Sequence, residues 1–173
     1  HAMAGGTNSD VLALLVFNGD LIAGGAFSAV DGMSCDRVAR WDGRQWFAMG
    51  SGVSGSLPLT ALGAYNGQLV GAAEYYPGGN GARAVAWNGG QWEPFGDLIS
   101  PSYVRAMAVY QGRLFIGGRF SKIGTTDLNG IAYWDGSSWQ QVGRGVNGGV
   151  NALTIYNDRL VATGSFTAAD SWW

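Results

Sequence analysis

Histidine and cysteine are almost missing from this chain: one of each occurs among 173 residues. The histidine is His1, and His1-Ala2-Met3 reads as an expression-tag remnant, set aside from the fold argument. What is left has no imidazole for a general base, a nucleophile–His–Asp triad or a metal site. Cys35 alone excludes an intramolecular disulfide and a thiolate metal cage. No metal and no cofactor are expected. Charge is sparse too, at 13% of residues and a net −2. That balance lays down no basic footprint for nucleic acid and no polybasic signal for a membrane surface. No apolar run approaches the ~20 residues of a membrane-spanning helix, and the chain contains no signal peptide. Helical periodicity is absent as well, because apolar residues at three-and-four spacing do not continue over ten residues before a glycine, proline or turn pair intervenes.

Glycine and tryptophan are abundant instead, with thirty and eight copies. Such a composition describes a compact, turn-rich protein rather than a disordered one. A single domain or array of this length buries roughly 70% of the surface its unfolded chain exposes. One phrase is written four times: FNGDLIAGGAF from Phe17, YNGQLVGAAEY from Tyr65, YQGRLFIGGRF from Tyr110 and YNDRLVATGSF from Tyr156. A second phrase keeps step with it three times, as WDGRQW (Trp41, Trp46), WNGGQW (Trp87, Trp92) and WDGSSW (Trp134, Trp139). A fixed period in this range marks a repeat architecture, whose units bury their faces against each other.

Each repeat divides into four short strands by its turn signals. In the first copy these are residues 11–17, 20–27, 37–41 and 45–49, with Asn18-Gly19 and Asp42-Gly43 as tight turns and 28–36 as a polar loop. Residues 12–17 are apolar at every position, which predicts a strand buried on both faces and sheets stacked on each other. A four-stranded antiparallel unit repeated on this period predicts an all-β chain with a β-propeller fold. The taper agrees: small Ala and Gly residues lie in the first two strands and paired Trp in the last two, as a wedge-shaped blade requires. The expected organisation is 1–3 tag remnant, 4–10 inter-blade link, 11–49 blade one, 50–95 blade two, 96–142 blade three and 143–173 a partial fourth blade of two strands and a tail.

Hydrophobic residues ending in Gly-Gly, an aromatic, and a following Trp resemble the kelch blade. The fuller pattern V-x-A-L-x-x-Y-N-G-x-L-x-x-G-G-x-F…I-A-x-W-D-G-x-x-W is similar to propeller repeats of secreted bacterial proteins and of fungal cell-surface polarity markers. The resemblance covers about residues 4–166. It departs at Ala72-Ala73, where the diglycine is lost, and at Gly130, where other copies carry a larger residue. It implies a propeller and a secreted or cell-surface parent protein. An oxidase built on kelch blades would need histidine ligands that are absent here.

The conspicuous motifs have structural explanations. Trp41, Trp46, Trp87, Trp92, Trp134 and Trp139 recur at one position per blade and are expected to pack between blades. Asp42, Asn88 and Asp135 precede Gly in tight turns, where their side chains cap the backbone. Gly24, Gly25, Gly117 and Gly118 are expected to be structural, since no helix follows them to cradle a phosphate. Cys35 has no partner for reactivity. No carboxylate pair recurs in a glycosidase arrangement. The chain is therefore expected not to be an enzyme.

Successive strands reverse, which places the two tight turns of each blade at one end and the longer links at the other. Those links are residues 28–36, 76–82 and 121–129 within blades, and 50–58, 96–102 and 143–149 between them. Loops on a rigid scaffold carry binding, so Asp31, Tyr76, Asn80, Lys122, Thr125 and Asp127 are the candidate ligand contacts. The expected function is a binding or scaffolding module, a fragment of a longer secreted or surface protein, gripping a glycan or a protein. Two alternatives stand beside it: a self-associating fragment without a ligand, and the propeller part of an enzyme whose catalytic groups lie elsewhere. Three blades and a half leave open edges, which predicts a homo-oligomer in which Trp172 and Trp173 fill an empty aromatic slot.

Overall fold

The computed structural model of the chain describes residues 5–53, 58–75, 81–100 and 103–169. Every regular element among them is a strand. The first unit contains β1 (Val11–Phe17), β2 (Asp20–Gly25), β5 (Val38–Trp41) and β6 (Trp46–Ala48), joined antiparallel in that order. Between β2 and β5 lies a small separate hairpin, β3 (Ala29–Val30) with β4 (Met33–Ser34). The second unit is β7 (Leu59–Tyr65), β8 (Gln68–Tyr75), β9 (Gly81–Trp87) and β10 (Trp92–Ser100). The third is β11 (Tyr103–Tyr110), β12 (Arg113–Arg119), β15 (Ile131–Trp134) and β16 (Trp139–Gln141), with the hairpin β13 (Lys122–Ile123) and β14 (Thr126–Asp127) between β12 and β15. A two-stranded sheet, β17 (Val150–Tyr156) with β18 (Arg159–Gly164), forms the fourth.

The first turn of each unit explains why the repeats fold alike. Asn18 and Gly19, Asn66 and Gly67, and Gln111 and Gly112 all have positive φ, as do Asn157 and Asp158 in the fourth copy. Two successive positive φ angles match the right-handed twist of the flanking strands and fix the hairpin register. All four hairpins also carry a register shift at one position, between Val11 and Ala13, Leu59 and Ala61, Val104 and Ala106, and Val150 and Ala152. The bulge residue places Val11 and its counterparts on the same face as Leu14 and its counterparts, because it resets the alternation.

Consecutive units stack through their sheet faces, with β1 against β7, β7 against β11 and β11 against β17. Three apolar clusters fill these interfaces. Ile22, Val38 and Met49 of the first unit meet Leu59, Leu62 and Leu69 of the second. Tyr65 and Val70 of the second meet Val104, Leu114 and Ile116 of the third. Tyr110 and Phe115 of the third meet Val150 and Leu153 of the fourth. A fourth cluster joins Ala23 and Ala39 to Phe27, Val30 and Cys35, in the segment around the small hairpin.

Four sequence expectations need correction. Residues 28–36 are not an unstructured loop, because Asp31-Gly32 turns them into the β3–β4 hairpin. The matching hairpin β13–β14 adds itself to the edge of β10, making the second sheet six-stranded. Residues 96–100, expected in a link, continue β10 past a register shift between Pro94 and Leu98. Finally, β1 is buried on one face only: Ala13, Leu15 and Phe17 pack on the second unit, while Leu14 and Val16 are exposed.

Candidate functional site

The tight-turn residues are occupied by their own backbone. Asp42 Oδ1 accepts the N–H groups of Arg44 (2.8 Å) and Gln45 (2.9 Å). Asn88 Oδ1 does the same for Gly90 and Gln91, both at 2.9 Å. Asp135 Oδ1 takes Ser137 (2.8 Å) and Ser138 (2.9 Å), and its Oδ2 accepts Gln140 Nε2 at 2.9 Å. These bonds stabilise the ionised carboxylate. The Ser138 and then Ser137 N–H groups lower Asp135 to a pKa of about 2, and the Gln45 and Arg44 N–H groups lower Asp42 below its usual value.

A depressed folded-state pKa adds stability that is fully present above the unfolded value and lost as pH falls through the folded one. The third-unit turn is therefore expected to loosen between about pH 4 and pH 2, whereas the Asn88 turn, which does not titrate, holds. A carboxyl NMR titration checks this. Asp135 titrating with an ordinary aspartate midpoint would show that its capping bonds do not form.

The Trp pairs sit within reach of each other, and the second and third pairs also pack against the preceding unit, whereas Trp46 packs within its own. Ring centroids are 5.4 Å apart for Trp41–Trp46, 5.6 Å for Trp87–Trp92 and 5.3 Å for Trp134–Trp139. Trp134 also lies 4.8 Å from Phe95 of the preceding unit. The buried Nε1 atoms of Trp46, Trp92 and Trp139 have no hydrogen-bond partner in the structure. The glycine pairs lie where space is short. A Cβ on Gly24 would sit 2.7 Å from Leu59 Cδ2, and one on Gly117 2.5 Å from Val150 Cγ1. On Gly25 and Gly118 it would strike the carbonyls of Asp10 and Tyr103. Gly130 occupies a position of positive φ, which Arg37 also adopts in the first unit. Cys35 is buried where the third repeat has Leu128, and desolvation raises its thiol pKa, so it fills core space as a protonated thiol.

The predicted binding residues do not converge on one place. Asp31 lies exposed at the tip of β3–β4, where its N–H donates to the Gly6 carbonyl (2.9 Å) and ties the hairpin to the preceding link. Lys122, Thr125 and Asp127 share the β13–β14 hairpin, with Lys122 Nζ 3.4 Å from Asp127 Oδ1 across the two strands. Tyr76, Asn80, Trp172 and Trp173 lie outside the described residues. Among the described residues no group of His, Cys, Asp and Glu side chains is placed to hold a metal ion.

A cleft of about 700 Å³ opens between the third and fourth units at the end where the long links gather. Arg119, Ser121, Asn129, Arg144, Asn147 and Ala168 are among the residues that line it. Its floor is built by the links themselves. Asn129 Nδ2 donates to the Arg144 carbonyl (3.3 Å), and Val146 N–H donates to the Asn129 carbonyl (2.9 Å). Asn147 Oδ1 accepts the N–H groups of Thr167 and Ala168, both at 2.9 Å, and its Nδ2 donates to Thr167 Oγ1. Asn8 makes the same clamp on Ser28 and Ala29. None of these cleft residues was singled out from the sequence. The readable signal was departure from the repeat, since Arg119 stands where the first copy has Ala26 and Arg144 where it has Ser51.

No family model and no curated protein matches the chain. Among solved structures, the crystal structure of the computationally designed Ika4 protein superposes with a TM-score of 0.58 at 17% identity, over 95% of this chain and 92% of that one. The likeness at that identity is one of fold alone.

Proposed function

We propose that the chain is a β-propeller repeat module without catalytic chemistry of its own, whose link-bearing end holds a glycan or a protein ligand. In this reading the four units are successive blades of a kelch-like array from a secreted or cell-surface protein. Sequential face-to-face stacking of antiparallel units on a fixed sequence period supports it. The observation that carries the binding reading is the cleft between the third and fourth units, lined by Arg119, Asn129, Arg144 and Asn147. The Arg119 guanidinium offers forked donors with the Asn129 side chain beside it, while Asn147 is committed to Thr167 and Ala168, so carboxylates and sugar hydroxyls both find partners there. An acidic glycan suits this set best.

A glycan array that includes uronic-acid polymers, followed by calorimetry on each hit, tests the proposal. Arg119→Ser is expected to weaken binding by about 10-fold or more, the scale of one lost hydrogen bond to a charged group. An empty array, or a hit whose affinity Arg119→Ser leaves unchanged, would overturn it.

A further inference from the structure

At two positions of its first strand, the first unit exposes what later units bury. Val11 is 42% exposed, whereas its repeat counterparts Leu59, Val104 and Val150 are 0% exposed. Leu14 is 63% exposed and its counterpart Leu62 only 8%. The cause is visible in the internal interfaces. Leu59 and Leu62 pack on the first unit, Val104 and Met107 on the second, and Val150 and Leu153 on the third. Each residue of this set therefore points at the preceding sheet. In the first unit, Val11 and Leu14 point at nothing among the described residues, and together they leave an exposed apolar patch.

The opposite face of the fourth unit is the matching half. Tyr65 and Tyr110 receive the next unit and are buried, at 8% and 7% exposure, while their counterpart Tyr156 is 68% exposed. The Tyr110 hydroxyl donates to the Asp158 carbonyl (2.8 Å) in the first turn of the following unit. Among the described residues no such turn stands beside Tyr156. One end thus presents the inserting face and the other the receiving face of an interface that the molecule already makes three times within itself.

We propose that a second copy of this chain covers these faces, with Val11 and Leu14 of one copy seated on Ala152, Tyr156 and Val161 of the next. The contact is head-to-tail, between two different patches, and repeats around a ring. It is a face-to-face contact, distinct from pairing of open strand edges, and it does not depend on the ligand reading. Thr163 stands where Gly24 and Gly117 make room for Leu59 and Val150. Its side chain holds the incoming Val11 away, so the contact between copies is looser than those within the chain.

Sedimentation equilibrium of the intact chain across the micromolar range reads the proposal. A mass that is a fixed multiple of 18.1 kDa is expected. Leu14→Asp and Tyr156→Asp should each raise the apparent dissociation constant by about 100-fold or more, as loss of a central contact does. Both positions are exposed within one chain, so both variants should keep the wild-type circular dichroism and, at concentrations below the association range, its melting transition. Each variant retains one competent face. Mixing them should therefore give a single one-to-one complex and nothing larger. Thr163→Gly should tighten the wild-type association.

A wild-type chain that stays monomeric throughout overturns the proposal, including the case where another partner covers the faces. So does a result in which Leu14→Asp alone abolishes association while Tyr156→Asp has no effect, because that identifies a contact between two identical patches. If either variant fails to fold, the complementation experiment with Leu14→Lys and Tyr156→Lys gives the same decision.

Discussion

Replacing Leu114 by alanine is expected to lower the unfolding free energy by about 3 kcal/mol, and Leu69→Ala by a similar amount. Both leucines are wholly buried, each reaching from the second strand of its unit into the interface with the preceding sheet. Truncation loses the transfer free energy of the removed carbons and leaves a cavity that the stacked sheets cannot collapse into. The repeat supplies its own control. Leu21 stands at the same position in the first unit but is only partly buried, so Leu21→Ala is expected to cost about 1 kcal/mol in the isolated chain. Urea denaturation of the three variants at low protein concentration measures this. Equal losses at Leu21 and Leu114 would mean that the faces of the first and third units are not in the different environments described. The effect should also be local. Units in a stacked array touch only their neighbours, so Leu114→Ala should accelerate amide exchange in β7–β12 more than in β1 and β2.

Much of this fold was legible because its signals are local. Asn18-Gly19, Asn66-Gly67 and Asp42-Gly43 each specify a turn through the φ angles their residues accept, and the apolar phrases between them specify strands. The same reasoning missed the β3–β4 hairpin, although Asp31-Gly32 carries the same kind of signal, because strands of two residues have no periodicity to read. It also missed the docking of β13–β14 onto β10, for a different reason. That pairing joins Lys122 and Ile123 to Ile99 and Ser100 of another unit, and nothing in either segment names its partner. The exposed patch on β1 shows the limit most clearly. Val11 and Leu14 look the same in sequence as residues buried between sheets, and only the stacking order reveals that no preceding sheet lies among the described residues. The cleft was legible only as its links, residues 121–129 and 143–149, and not as its individual side chains, for the opposite reason. Arg119 and Arg144 interrupt the repeat, and a reading built on what recurs passes over what does not.

Gly145→Ala is expected to be among the most damaging single-atom additions to the chain, at about 3 kcal/mol. Two costs combine. Gly145 has φ +76, a region that costs an L-residue about 1–2 kcal/mol. In addition, a Cβ there would collide with the Asn129 carbonyl and come within 2.6 Å of Asn129 Cβ, and overpacking of this kind adds about 1–3 kcal/mol. The collision cannot be relieved by a rotamer change, because the first obstacle is backbone. Moving it would break the Val146 N–H bond to that same carbonyl (2.9 Å), which seats the link on the third unit. Gly52 repeats the arrangement against Asp36, with φ +78 and a 3.0 Å bond from Val53 N–H. Gly6 separates the two costs: its φ is +70, but nothing lies within 4 Å of the position a Cβ would take. Gly6→Ala should therefore cost only the conformational part, about 1 kcal/mol. Native-state hydrogen exchange distinguishes the terms by location as well as size. For Gly145→Ala the loss of protection should centre on β17–β18, because the link between the third and fourth units is what shifts. An equal, small effect from both substitutions would show that the links are pliable, and that the wall of the cleft they form is not a fixed surface.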